Sequence, residues 1–150
     1  MTTEYIRILL ADDDNDDCTF FKNATLQLPI KTSLTAVHDG EQLINYLIEN
    51  AKNLPDVIFL DLSMPRKTGF ECLSEIKQNP EWKDIPVFVF STSFTHDLIY
   101  ERTLMNTLSM IGAEEFIRKP GDFELLKEII YKSLTRIARQ KPIIPASINL

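Results

Sequence analysis

Only two cysteines, Cys18 and Cys72, and two histidines, His38 and His96, occur in 150 residues. The cysteines stand in unrelated contexts without metal or redox spacing, so they read as reduced thiols of a cytosolic protein and exclude a disulfide framework. The histidines have no spaced partners and are read as non-catalytic. Basic residues are in deficit, 16 Lys and Arg against 22 Asp and Glu, for a net charge of -6. That balance excludes a general nucleic-acid binder, whose hold on phosphate needs clustered cations. No apolar run reaches membrane-spanning length. The opening "MTTEYIRILL" lacks the charged start and long apolar stretch of a signal peptide. Internal repeats and low-complexity segments are missing too.

What the chain does have is alternation. Short β-rich runs cover 6–11 ("IRILLA"), 32–37 ("TSLTAV"), 56–61 ("DVIFLD"), 86–91 ("PVFVFS") and 114–119 ("EEFIRK"). Between them lie segments of helical periodicity at 16–28, 40–50, 70–78, 96–111 and 122–139. Asp39 and Asp122 are placed to cap their helices, and Gly112 to end one. Five strand–helix units in series predict an α/β fold, a doubly wound five-stranded parallel sheet of flavodoxin-like order 2-1-3-4-5. The runs "ILLA", "VIFL" and "VFVF" are apolar without alternation, as strands covered on both faces should be. Residues 1–140 are read as one domain. Residues 141–150 ("KPIIPASINL") are read as a tail with no periodicity.

In an open parallel sheet, chemistry gathers beyond the carboxyl ends of the strands. The first strand delivers Asp12 and Asp13 there, the third Asp61, the fourth Ser91 and Thr92, and the fifth Lys119. Carboxylates brought together in a partly dry site repel, and raised pKa values or a bound cation relieve the repulsion. An all-oxygen cluster favours a hard divalent ion such as Mg²⁺. Beside such an ion a carboxylate can act as nucleophile and form an aspartyl phosphate, with Lys119 neutralising phosphoryl charge. Asp14, Asp16 and Asp17 read instead as residues that cap and charge the first helix.

The pair "DD" (Asp12, Asp13), the segment "FLDLSMPRKTG" around Asp61, Ser91, and "KP" (Lys119, Pro120), in that order on this frame, resemble the receiver domain of two-component response regulators. The resemblance covers about residues 6–139. It implies that Asp61 accepts a phosphoryl group from a histidine kinase or a histidine phosphotransfer protein. It implies that Asp13, Asp61 and the backbone carbonyl of Ser63 bind Mg²⁺, with Asp12 acting through water. Lys119 would hold the phosphoryl group, and its bond to Pro120 would be cis. Ser91 would be the switch hydroxyl and Phe116 its aromatic partner, without the hydroxyl of the tyrosine common there. The stretch from Ser91 to Lys119 is longer than the family commonly shows, which predicts a longer fourth helix or preceding loop on the surface used for partners. Ser63 and Ser93, small and polar, hint at a fairly short-lived phosphoryl group. Gly69 is read as a residue at positive φ.

The expected protein is a stand-alone cytoplasmic response regulator. Its own chemistry is limited to gaining and losing the phosphoryl group. It signals by docking on a downstream protein or relays phosphate onward as a phosphorelay intermediate, with no role at DNA or membrane, and the resemblance allows a homodimer through the face of the fourth helix, fifth strand and fifth helix. The basic run Arg136, Arg139 and Lys141 is read as complementing a helix C-terminus. An enzymatic alternative is a haloacid-dehalogenase-like phosphatase with Asp12 as nucleophile and Asp14 as second acid. Against it, Asp16 replaces the usual Thr or Val, "GDFELL" lacks a needed acid, and Asp61 would have no task. A degenerate receiver that only binds partners fits poorly with a complete set of acids, hydroxyl and lysine.

Overall fold

The computed structural model describes residues 5–92 and 97–140. In chain order its elements are β1 (Ile6–Ala11), α1 (Asn15–Leu26), β2 (Thr32–Val37), α2 (Gly40–Glu49), β3 (Val57–Leu60), α3 (Gly69–Gln78), β4 (Val87–Ser91), α4 (Leu98–Ile111), β5 (Glu115–Arg118) and α5 (Phe123–Gln140). The five strands form one parallel sheet of order β2-β1-β3-β4-β5. This is the predicted topology.

Successive residues of a strand point to opposite faces, so a strand covered on both sides must be apolar throughout. On one face Ile6, Ile8, Leu10, Val57, Phe59, Phe88 and Phe90 pack under α1 and α5. On the other, Leu9, Ala11, Ile58, Leu60, Val87 and Val89 pack under α2, α3 and α4. Phe59 is the centre of the first face. It stacks on Phe88 at 5.3 Å between centroids and takes the edge of Phe21 at 5.0 Å. The outer strands β2 and β5 are less buried, as edges are.

Side chains end the helices where the sequence places them. Asp39 accepts from the Gln42 amide at the start of α2, and Asp122 from the Leu125 amide at the start of α5. Gly112 closes α4 at φ 128°, a conformation that favours glycine. Thr68 and Glu71 form a reciprocal capping box on α3. Because Thr68 starts the helix that follows the Asp61 loop, Thr68→Ala should cost about 1 kcal/mol. Urea unfolding measures it, and an unchanged midpoint would mean that the box contributes nothing.

Three expectations need correction or restriction. Gly69 is not at positive φ; among the described non-glycine residues Arg66 is, at 69°. Gly69 is glycine because a Cβ there would lie 2.6 Å from the Leu62 Cα and collide with the Asp61 carbonyl. The Lys119–Pro120 bond is trans, not cis. Trans is the lower isomer by roughly 0.5–1 kcal/mol, and Lys119 reaches its partners through it. Helix α4 is 14 residues long, but Ser93 and His96 in the segment before it lie outside the described residues, as do Lys141 and the tail 141–150.

Candidate phosphoryl-acceptor site

Asp61 and Lys119 each stand one residue past the paired end of their strands, as Asp12 does. Their backbones nevertheless continue the ladders. The Asp12 amide donates to the Val37 carbonyl at 3.0 Å, the Asp61 amide to Ala11 at 2.9 Å, and the Lys119 amide to Ser91 at 2.8 Å. Each neighbouring strand thus fixes a site residue at the same edge, and the side chains converge.

Lys119 lies at the centre. Its Nζ donates to Asp12 Oδ2 at 2.6 Å, to Asp17 Oδ2 at 2.9 Å and to Asp61 Oδ2 at 3.3 Å. Ser91 Oγ donates to Asp61 Oδ1 at 2.9 Å, and the Ser63 amide reaches the same oxygen at 3.2 Å. Ser91 is fully buried, while Asp13, Ser63 and Thr92 are exposed at the mouth. Phe116 is half-buried on β5, packed against the α2–α4 side of the core. His38 Nδ1 lies 3.2 Å from the Asp12 carbonyl oxygen, which only a protonated nitrogen can hydrogen bond, so the ring steadies the β1–α1 loop.

Asp17 is the residue that sequence reasoning missed. Asp14 caps α1 as expected, accepting from the Asp17 amide, but the Asp17 carboxylate turns to Lys119. A signal existed. An ammonium with three donors, sunk at the edge of the sheet, needs three acceptors. Asp12 and Asp61 supply two, and α1 begins close enough behind Asp12 for its first turn to supply the third.

Burial pushes the Asp12 carboxyl up from 3.8 to about 6, against the pull of Lys119. Burial also opposes the charge on Lys119, but hydrogen bonds to Asp12 and Asp17 outweigh it and hold the ammonium well above its usual range. Both cysteines are buried, and burial pushes Cys18 up to about 11 and Cys72 to about 12. They are inert thiols at neutral pH.

The Asp12 shift has a consequence for folding. From 3.8 to about 6 the folded protein keeps a proton that the unfolded chain has released. Asp12 therefore contributes stability that is complete below this window and lost as pH rises through it. Urea unfolding across the window in the presence of a chelator should show the decline, and Asp12→Asn should flatten it. An unaltered slope in the variant would remove Asp12 as its source.

One carboxylate oxygen each from Asp12, Asp13 and Asp61 lie within 4.8 Å of one another. The donor set is all oxygen and rich in negative charge, and it fits a hard divalent cation.

The sequence matches the response regulator receiver domain over residues 8–131. The chain belongs to this family. The receiver is 38% identical over 95 residues to response regulator Rcp1 of Synechocystis sp. (strain ATCC 27184 / PCC 6803 / Kazusa), covering 60% of this chain and 64% of that protein. It is 32% identical over 136 residues, 91% of the chain, to the 3′,5′-cyclic-nucleotide phosphodiesterase regA of Dictyostelium discoideum, of which it spans 16%. The receiver thus spans less than two thirds of either relative. A crystal structure of the Mn(2+)-bound form of Rcp1 superposes with a TM-score of 0.71 at 27% identity, covering 85% of this chain and 90% of the other. The phosphorylated cyanobacterial phytochrome response regulator RcpA superposes with 0.74 at 28% identity, covering 91% and 96%. The family shown is the receiver, not that of the phosphatase alternative. Asp14, the second acid it needed, is spent as a helix cap. Among the described residues no helix is long and apolar enough to cross a membrane.

Proposed function

We propose that this receiver takes a phosphoryl group onto Asp61 and releases it again, signalling through the surface around α4. The observation that carries the reading is the environment of the Asp61 carboxylate. It is 8% exposed, accepts from Ser91 and Lys119, and has two further carboxylates within metal-sharing distance. Asp13, Asp61 and the backbone carbonyl of Ser63 would hold Mg²⁺, and Asp12 would act through water. When bound, Mg²⁺ supplies positive charge for the phosphoryl oxygens. Lys119 supplies the rest, and Ser91 offers a hydroxyl donor on the far side.

In the transfer an Asp61 oxygen attacks phosphorus. The new P–O bond forms as the donor's P–N bond breaks, if the donor is a phosphohistidine, and the leaving nitrogen keeps the electron pair. The histidine belongs to a kinase or a histidine phosphotransfer protein. The relative named as phosphorylated supports the acceptor role, and the one named as Mn(2+)-bound supports a divalent ion.

Ser91 and Lys119 couple the site to α4. Glu101 of α4 pairs with Arg118, next to Lys119. Leu98, Ile99, Tyr100 and Met110 of α4 are exposed at 79%, 81%, 56% and 87%. Exposed apolar side chains of this kind, three of them consecutive at the start of the helix, suit a protein partner. Further along the helix Met105, Leu108, Ala113 and Phe116, together with Asn106, Ser109, Glu114 and Glu115, line a depression of about 260 Å³. The partner is a downstream protein or a second copy of the chain, in the cytoplasm, with no role for DNA. The experiment is incubation with acetyl phosphate and Mg²⁺. One phosphoryl group should appear by intact mass and map to Asp61, and its absence would overturn the reading.

A further inference from the structure

The ammonium of Lys119 has three N–H donors, and three carboxylates already use them. Asp61 is the proposed acceptor, and Asp12 belongs to the acid cluster. Asp17 is neither. It stands in the first turn of α1, outside the three acids that could share a cation. The shortest bonds of Lys119 run to Asp12 and Asp17, at 2.6 and 2.9 Å, and the longest to Asp61, at 3.3 Å. The ammonium is thus drawn away from the oxygen where a phosphoryl group would be attached.

A phosphoryl oxygen that is to be held by Lys119 must take a donor from one of the three. Yielding the 3.3 Å bond to Asp61 alone leaves the ammonium where Asp12 and Asp17 hold it, so one of these two must yield for it to move toward the phosphoryl group. Releasing Asp12 would leave a side chain that is 2% exposed without its cation, which is costly. Asp17 is 39% exposed, and water can replace the ammonium there. Its amide stays bonded to the Asp14 cap at 3.1 Å, so only the side chain has to turn. We propose that Asp17 is a positioning residue that acts through Lys119: it tethers the ammonium in the unphosphorylated receiver and competes with the phosphoryl group for it. The bond sets part of the free-energy cost of loading Asp61. This rests on Asp61 being the phosphoacceptor.

The test titrates beryllofluoride, a phosphoryl analogue, into the full chain at saturating Mg²⁺, followed by ¹⁹F NMR. Mg²⁺ affinity alone is measured separately, and urea unfolding verifies each variant's fold. Asp17→Asn should lower the half-saturating beryllofluoride concentration about three- to five-fold, the scale of one partly exposed ion pair. Asp17→Glu keeps a carboxylate that can reach Lys119 and should restore the wild-type value. Asp16→Asn removes an equal charge from the same helical turn, at an exposed position, and should leave the titration unchanged. A merely structural or helix-charge role would not separate these variants. Unchanged or weaker binding in Asp17→Asn, or an equal gain in Asp16→Asn, overturns the tether while the acceptor assignment stands. Failure of the wild-type protein to bind beryllofluoride at all overturns the acceptor assignment itself, and the tether with it.

Discussion

Replacing Asp61 with Asn yields a folded protein that no longer takes a phosphoryl group from acetyl phosphate and Mg²⁺. Asn has the same shape, and its carbonyl oxygen can still accept from Ser91 Oγ, which is 2.9 Å from Asp61 Oδ1 in the native protein. The fold should therefore persist. What is lost is the anionic oxygen that attacks phosphorus, and an amide is a far poorer nucleophile. Labelling should fall by about a hundred-fold or more, to background. Crowding of negative charge also eases, because the site sets Asp12, Asp13, Asp17 and Asp61 around the single ammonium of Lys119. The variant should unfold at the same or a higher urea concentration than the metal-free wild type. Intact-mass spectrometry after incubation reads the first outcome and urea unfolding the second. Phosphate at wild-type stoichiometry on the variant would move the acceptor to another carboxylate and dissolve the assignment.

The site was legible wherever a position is fixed by sheet register. Asp12, Asp61, Ser91 and Lys119 all stand at or one step past strand ends that their apolar runs announce, and parallel pairing brings those ends to one edge. "VIFL" and "VFVF" declared buried strands because every residue is apolar, and all are buried. Legibility stops where two physical causes leave one sequence mark. Gly69 could serve a positive φ or a close approach of backbone, and only the packing against Asp61 and Leu62 tells which. A proline following Lys119 permits either peptide isomer, and the difference in free energy is too small for the sequence to decide. Asp17 escaped because its partner lies 102 positions away and its neighbours already explain a helix start rich in acids.

Lys119→Ala should produce the second large effect, in two parts. The native ammonium is 9% exposed and faces Asp12 and Asp61 side chains that are 2% and 8% exposed. Without it two buried carboxylates confront one another with no cation. Breaking such a cluster from one side costs about 3–5 kcal/mol. Protonation of Asp12 softens the loss at low pH, since burial already carries its pKa to about 6 in the native protein. The deficit relative to wild type should therefore widen as pH rises above that value. A divalent ion can replace the missing charge, so Mg²⁺ should bind at least as tightly as in wild type and recover most of the stability. Coupling to the rest of the molecule should not recover. In the proposed function Lys119 carries the coupling, and the residue before it, Arg118, pairs with Glu101 of α4; an ion held by the acids does not replace that link. Beryllofluoride with Mg²⁺ should shift α4 amide resonances in wild type and leave them in place in the variant. Equal α4 shifts in both proteins would detach Lys119 from the switch. Equal stability of both without Mg²⁺ would mean that the carboxylates do not depend on the ammonium.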